Sequence, residues 1–287
     1  MKPGRFTYHD PTTIDELIGL LGSLDDAKLL AGGQSLMPML NMRFSQPDHV
    51  VDLNGIDELA GITTNGSALK IGAMTRQAAL LKSNEIADQI PVMQAALQCV
   101  GHFQTRYRGT IGGSLCHLDP SAELPLIALL CDAELQVAGP DGDRSIAMGE
   151  WPLAYMMPSI SESEILKSIN INPWPQRHGF AFEEIARRRG DFAIVGVGCQ
   201  LAIDNGVISK AVIAIGGANQ VPYRLTEAEE ALVGQPATDD VFAAAGEVAR
   251  KQDAMSDAYI TAAYRQRLAN VLTKRTLATA AQRATGE

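Results

Sequence analysis

The chain has 287 residues, enough for two domains that each bury a core. Apolar residues make up 46% and charged residues 20%, as in an ordinary globular protein, and a net charge of −9 argues against nucleic acid or an anionic membrane surface as partner. The first residues, MKPGRFTYHDPTT, carry no apolar signal region, and no run reaches transmembrane length, so a cytoplasmic protein without a membrane span is expected.

Residues 13–24, TIDELIGLLGSL, predict a short amphipathic helix capped by Thr12 or Thr13. Asp15 and Glu16 fall in its first turn, and Leu17, Ile18, Leu20 and Leu21 face the core. Next comes AKLLAGGQSLMPMLNMRF, residues 27–44. Its apolar run Leu29, Leu30, Ala31 predicts a buried strand, Gly32 and Gly33 follow, and after Gln34 and Ser35 the composition turns helical. Pro38 falls in the first helical turn, where a missing N–H costs nothing. Strand, paired glycines, small polar residue and helix start describe a backbone anion site, because glycine lets the main chain approach a phosphate and the helix start offers unpaired N–H groups. No lysine sits in the loop, which excludes the nucleotide-hydrolysing P-loop pattern. Val50 to Leu53 predicts a strand closed by Asn54-Gly55, completing a small β–α–β half-domain.

From Leu59 the texture changes to short strands and turns. Asn65-Gly66 predicts a hairpin, Thr75 a helix cap for RQAALLKS, and residues 92–100 a further helix. A second glycine stretch begins at Arg108, RGTIGGSLCHLDPSAELPLIALLC, in which Ile111, Gly112, Gly113 and Ser114 repeat the apolar-Gly-Gly-polar pattern, with a helix at about 122–131. The two stretches are too distant to form one loop but alike enough to grip one ligand from two sides, which suggests a dinucleotide diphosphate. A hairpin turning at Asp141-Gly142 and a strand ended by Pro173 follow.

INPWPQRHGF, with two prolines, marks a domain boundary near residues 173–178. Beyond it, strands are expected at 179–186, 192–203 and 207–215, the last two joined through Asp204-Asn205-Gly206. From Thr226 the pattern is helical, with a long helix at about 257–280 whose Ile260, Tyr264, Leu268 and Val271 read as core; residues 281–287 are expected to fray. GVGCQL lacks the third glycine of a dinucleotide fingerprint and lies in a strand pattern. Cys99, Cys116, Cys131 and Cys199 are scattered without a C-x-x-C pair, so they read as buried free thiols and no zinc or iron–sulfur ligation is expected on this chain. Cys116 and His117 are read as an apolar thiol and a loop histidine near a ligand.

The two glycine stretches, the VVDL run and RRRGDFAIV together resemble the FAD-binding medium subunits of molybdenum hydroxylases, the family that includes the flavin modules of aerobic carbon monoxide dehydrogenase and xanthine dehydrogenase. The resemblance covers essentially the whole chain. It implies an α+β fold: a two-subdomain FAD-binding domain over residues 1–175 (subdomains about 1–55 and 56–175), followed by a C-terminal domain of antiparallel sheet and helices over 176–287. It also implies that Ala31, Gly32, Gly33, Gln34, Ser35 and Leu36, together with Thr110, Ile111, Gly112, Gly113 and Ser114, bind the cofactor around its diphosphate. Asp119 and Glu123 fall where polar residues meet the sugar-like parts. Arg187 and Phe192 belong to the loop near the isoalloxazine ring. Carbon monoxide dehydrogenase carries histidine at the position of Gln34 and tyrosine at that of Phe192, which weighs against carbon monoxide as substrate.

The function implied is an electron-relay subunit, active only in complex. A large partner carries the molybdenum cofactor and oxidises the substrate, a small partner carries 2Fe-2S clusters, and the assembly is a dimer of heterotrimers, a heterohexamer. The rivals are a self-contained FAD-dependent oxidase or reductase of the same fold, for which His102, His117 and Tyr107 are the nearby groups, and a non-enzymatic nucleotide-binding scaffold.

Overall fold

The computed structural model describes residues 1–65, 67–174 and 178–286. The chain opens with β1 (Thr7–His9), α1 (Ile14–Leu21), β2 (Ala27–Leu30), α2 (Leu36–Met42) and β3 (His49–Asp52). The strands form a parallel sheet in the order β1-β3-β2. The expected β–α–β unit is therefore present, with β1 as an addition that no periodicity announces, since Thr7 and Tyr8 are exposed. Thr13 caps α1: its hydroxyl accepts from Glu16 N–H, while the Glu16 carboxylate accepts from Thr12 N–H at 2.8 Å. Ile14, Leu17 and Leu21 form its buried face; Ile18 and Leu20 sit at its margin.

A mixed layer follows: β4 (Ile62–Asn65), β5 (Ala68–Gly72), α3 (Gln77–Lys82), α4 (Asn84–Gln89), α5 (Pro91–Leu97), α6 (Phe103–Arg108), α7 (Ile111–His117), α8 (Glu123–Leu130), β6 (Glu134–Gly139), β7 (Gly142–Ala147), β8 (Pro152–Ala154), β9 (Met157–Pro158) and β10 (Ile165–Ile171). Its five-stranded antiparallel sheet runs β4-β5-β10-β6-β7. β4 and β5 pair as the Asn65-Gly66 signal predicts, although Gly66 lies outside the described residues. In the β6–β7 hairpin Gly139 faces Gly142, so the turn is Pro140-Asp141, one residue before the expected pair. Arg76, not Thr75, caps α3; the Thr75 hydroxyl bonds instead to both the N–H and the carbonyl of Gly61.

The last part contains β11 (His178–Ala186), β12 (Ala193–Asp204), β13 (Val207–Gly216), β14 (Tyr223–Arg224), α9 (Thr226–Leu232), α10 (Asp239–Lys251) and α11 (Ala262–Thr285). The sheet is antiparallel, β11-β12-β13-β14. Asn205 and Gly206, with φ of 52° and 81°, make the tight β12–β13 turn.

Three expectations for α11 are corrected. It starts at Ala262 under a Thr261 cap, because the Asp257 carboxylate takes the N–H groups of Tyr259 and Ile260 in a turn. It also continues to Thr285, where Gly286 closes it in the left-handed conformation, so residues 281–285 are ordered helix. Its buried face is Arg265, Ala269, Leu272, Thr273, Thr276, Leu277, Ala280 and Ala281; of the expected stripe Leu268 packs half-buried against this core, whereas Tyr264 is exposed. Close approach explains the choice: a Cβ on Gly179 would lie 2.8 Å from Ala284 N and nearer still to the Ala280 backbone, so small residues must face the sheet.

All eight residues of α8, ELPLIALL, are buried. A helix apolar on every side belongs between layers, and α8 has the five-stranded sheet's core on one side and β12 and β13 on the other. Val212 and Ala214 of β13 share one core cluster with Leu126, Ile127 and Leu130. Of the boundary expected near 173–178, residues 175–177 lie outside the described residues. Cys131 and Cys199 are buried free thiols, and Cys99 and Cys116 are half-buried.

Candidate functional site

The first glycine stretch is a loop, as its sequence suggests. β2 ends at Leu30, opposite Asp52 of β3, and residues 31–35 turn into α2. Gly33 has φ +71°, a conformation that costs glycine nothing and strains other residues. The Gln34 side chain donates to Gly32 O at 3.2 Å. Among the described residues no acceptor takes the N–H groups of Gly33, Gln34, Ser35 or Leu36, and the Ser35 hydroxyl makes no cap bond. The turn therefore presents consecutive free donors.

The second stretch differs from expectation. Ile111–His117 is itself helix, so Ile111, Gly112, Gly113 and Ser114 are the first turn of α7 rather than a loop before a helix. Ile111 N–H donates to Thr75 O (3.1 Å), Gly112 N–H to Ala73 O (2.8 Å) and Gly113 N–H to the Thr110 hydroxyl (3.0 Å). Thr110 is a strong N-cap residue, and that capping signal outweighs the resemblance to a loop. Gly112 serves close packing: a Cβ there would sit 2.6 Å from Ala73 Cβ at the end of β5. Buried Trp151 holds the helix from below, donating to Leu115 O at 2.8 Å. Gly113 and Ser114 are half-buried, and the Ser114 hydroxyl has no hydrogen-bond partner among the described residues.

The fold brings the two stretches into contact. A Cβ on Gly32 would lie 2.8 Å from Gly109 Cα and closer to Arg108 O, and one on Gly113 would lie 3.4 Å from Ala31 Cβ. Two residues that sequence reasoning missed stand at this junction. The Asn54 amide donates to Ala31 O at 3.0 Å, and Arg76 donates to the Asn54 carbonyl oxygen and to Arg108 O, the latter at 2.6 Å. Burial and the neighbouring Arg108 charge both lower the Arg76 pKa, and no carboxylate pairs with its guanidinium among the described residues. The only sequence signal for either was the Asn54-Gly55 turn.

This corner fits a phosphate-bearing cofactor. It has backbone that admits no side chain at Gly32, free N–H groups after it, and two arginines, Arg76 and Arg108, offset only by Asp52 through Asn54.

The remaining candidates lie apart from it. Asp119 shapes a turn, accepting from Ser121 N–H at 2.8 Å. Glu123, at the start of α8, is 7% exposed. Burial, then the Glu184 charge, pushes its carboxyl up to about 8, against opposition from its backbone hydrogen bond and Arg106. Burial lifts Glu184 to about 7, and its Oε2 has no hydrogen-bond partner. Both acids line a small cavity with Ser121, Phe182, Gly196 and Gly216. Phe192 is 63% exposed, and Arg187 lies over the Tyr259 ring at 5.3 Å. Between them Gly190, with φ +88°, packs against the turn before α6: a Cβ there would meet the His102 ring at 2.9 Å. A cleft of about 780 Å³ opens beside this loop, between α5 and β11. Burial lowers His117, which keeps its imidazole neutral, and raises the Cys116 thiol to about 12, so the thiol is not an activated nucleophile.

Residues 4–175 match the model of the FAD binding domain in molybdopterin dehydrogenase, and residues 180–280 that of the CO dehydrogenase flavoprotein C-terminal domain. The chain belongs to this family. It is 37% identical over 287 residues to the alpha subunit of the 6-hydroxypseudooxynicotine dehydrogenase complex of Paenarthrobacter nicotinovorans, covering 99% of this chain and 97% of the relative. It is 35% identical over 291 residues to the beta subunit of caffeine dehydrogenase from Pseudomonas sp. strain CBB1, covering 99% and 97%. The structure overlays on a carbon monoxide dehydrogenase chain from Hydrogenophaga pseudoflava with a TM-score of 0.96 at 35% identity, covering 99% of both chains. The α+β fold with FAD-binding and C-terminal parts is that of the family, and the chain is an FAD-carrying oxidoreductase subunit. No helix among the described residues is long and apolar enough to cross a membrane.

Proposed function

We propose that this chain is the electron-relay subunit of a molybdenum hydroxylase complex, holding FAD non-covalently between a small subunit with 2Fe-2S clusters and an external acceptor. A large subunit with the molybdenum cofactor would oxidise the substrate, in a cytoplasmic dimer of heterotrimers. The observation that carries the reading is the contact between the two glycine stretches, 31–35 and 110–114, which come together across eighty residues around unengaged donors.

Ala31 to Leu36 supply the main-chain face for the diphosphate, and Gly33 to Leu36 point free N–H groups at it. On the opposite side, Thr110 to Ser114 contribute the shape of a capped helix turn and the Ser114 hydroxyl rather than a set of free amides. Asp119 and Glu123 suit hydroxyl groups of the cofactor, Glu123 as a neutral acid that donates and accepts. Arg187 and exposed Phe192 flank the ring end. Bound FAD supplies the one- and two-electron chemistry that links clusters to an acceptor. The division into residues 1–175 and 176–287, with a subdomain break near 55, is part of this proposal.

The relatives are named for unlike substrates, caffeine and 6-hydroxypseudooxynicotine, at similar identity. That is the expected pattern if substrate choice resides on another chain. Acid denaturation of the natively purified complex should release free FAD. The chain expressed alone and saturated with FAD should turn over no aldehyde, N-heterocycle or carbon monoxide with an artificial acceptor, and activity should return on adding the two partner subunits. Turnover by the lone chain would favour the self-contained oxidase.

A further inference from the structure

Asp52, at the end of β3, accepts from the Tyr8 hydroxyl at 2.6 Å, from Asn54 N–H at 2.9 Å and from the Asn54 side-chain amide. This fixes the Asn54 carboxamide with its NH₂ toward Ala31 O and its oxygen toward Arg76. The Arg76 fork then reaches Arg108 O with its other terminal nitrogen. One continuous hydrogen-bonded path thus runs from the carbonyl before Gly32 to the carbonyl before Gly109. Gly32 and Gly109 are also the residues whose main chains touch.

The bonding has two consequences. Each engaged carbonyl is satisfied within the protein, so its lone pairs are directed at a donor and not at an incoming anion. The guanidinium is also held through Asn54 rather than by direct pairing with a carboxylate among the described residues; the Asp52 charge acts on it against that of Arg108, and the two arginines with one carboxylate leave the corner net positive. Arginine suits the role because its planar fork makes two directed bonds from one cation, which lysine cannot reproduce.

We infer that Arg76 and Asn54 form a staple that sets the spacing of the two glycine stretches, with Arg76 a positioning residue for the cofactor's diphosphate. The inference rests on the FAD reading above and assigns to it two residues that neither glycine stretch contains.

The test is FAD affinity, measured by flavin fluorescence on the full-length apo-chain, with circular dichroism as the check on folding. Arg76→Ala and Asn54→Ala should each weaken FAD binding by roughly 30- to 100-fold, the first by losing two directed hydrogen bonds and a local charge, the second by losing the three side-chain hydrogen bonds of Asn54. Because the two residues act through one path, the double variant should be no more than about threefold weaker than the poorer single variant. Arg76→Lys keeps the charge without the fork and should stay at least about tenfold weaker than wild type. Arg76→Lys also guards against misfolding: its dichroism spectrum should match wild type while its affinity falls. Wild-type affinity in Arg76→Ala, or multiplicative losses in the double variant, would overturn the staple. A wild-type chain that does not bind FAD would instead remove the cofactor reading itself.

Discussion

The stretches around Gly32-Gly33 and Gly112-Gly113 read almost alike, yet they spend their backbone donors in opposite ways. After β2 the chain leaves Gly33 to Leu36 with unengaged N–H groups. At α7 the corresponding groups are used up, Gly113 by the Thr110 hydroxyl and Ser114 by the Thr110 carbonyl, and the preceding Ile111 and Gly112 donate to Thr75 and Ala73. The difference lies in the flanking residues. Thr110 caps a helix, and Ala73 stands where only a glycine fits, so Gly112 becomes a packing device. Ala31 offers no cap, and Gly33 takes a left-handed turn. A Gly-Gly pair therefore marks close approach, and its neighbours decide whether the partner is a ligand or another part of the fold.

The largest expected effect comes from Gly32, where the two stretches meet. In Gly32→Val the side chain would meet the main chain of Arg108 and Gly109, which cannot rotate away. We expect loss of FAD binding and a stability loss of about 1–3 kcal/mol or more, a Tm lower by roughly 5–10 °C. A variant that melts like wild type and keeps its flavin would show that the contact is not part of the site.

Gly33 and Gly113 separate the two regions more finely. Gly33→Ala places a Cβ at φ +71°, 3.1 Å from Met37 Cγ, which should cost about 1–2 kcal/mol. Gly113→Ala gains up to about 1 kcal/mol of helix propensity but crowds Thr110 Oγ1 at 2.8 Å and endangers a cap worth about 1 kcal/mol. These nearly cancel, so its Tm should stay within about 2 °C of wild type while FAD affinity falls a few-fold. Equal melting losses in both variants would erase the distinction drawn between a free loop and a capped turn.

How much of this was legible beforehand follows from the range of each interaction. The long apolar strands β10 to β13 and the buried helix α8 announce themselves through composition, and the first glycine loop through its strand–Gly-Gly–helix grammar. The short β1, α4 and α6 do not, because three to six residues carry no period. Large residues do not mark the buried face of α11, because Gly179 draws the helix so near the sheet that alanine and threonine must face it. Arg76, Asn54 and Glu184 were invisible for another reason. Their roles depend on partners 22 to 61 positions away, such as Asn54 for Arg76 and Glu123 for Glu184.

The smallest expected effect again sets the two regions apart, through pH. Residues 31–36 contain no titratable side chain, whereas the chain beyond α7 leads into Asp119 and Glu123, with Glu184 facing Glu123 from β11. Burial raises both glutamates, to about 8 and about 7. Between the ordinary carboxyl pKa and these values the folded chain holds protons that the unfolded chain has released. The contribution of this acid pair to stability therefore declines as pH rises from about 4.5 toward 8. Glu184→Gln removes one of the two groups and relieves the other of a like charge, so the decline should flatten. We expect the variant to gain roughly 2–4 °C in Tm over wild type at pH 8.5 and almost nothing at pH 5, the size of shift that about 1 kcal/mol gives in a chain of this length. His117, lowered by burial, contributes only at the acid end and is common to both proteins. Since the first glycine loop carries no ionisable group, Gly33→Ala should shift Tm by the same amount at both pH values. A pH-dependent penalty for Gly33→Ala, or parallel melting curves for Glu184→Gln and wild type, would mean that the acid pair and the loop are not the separate electrostatic regions described.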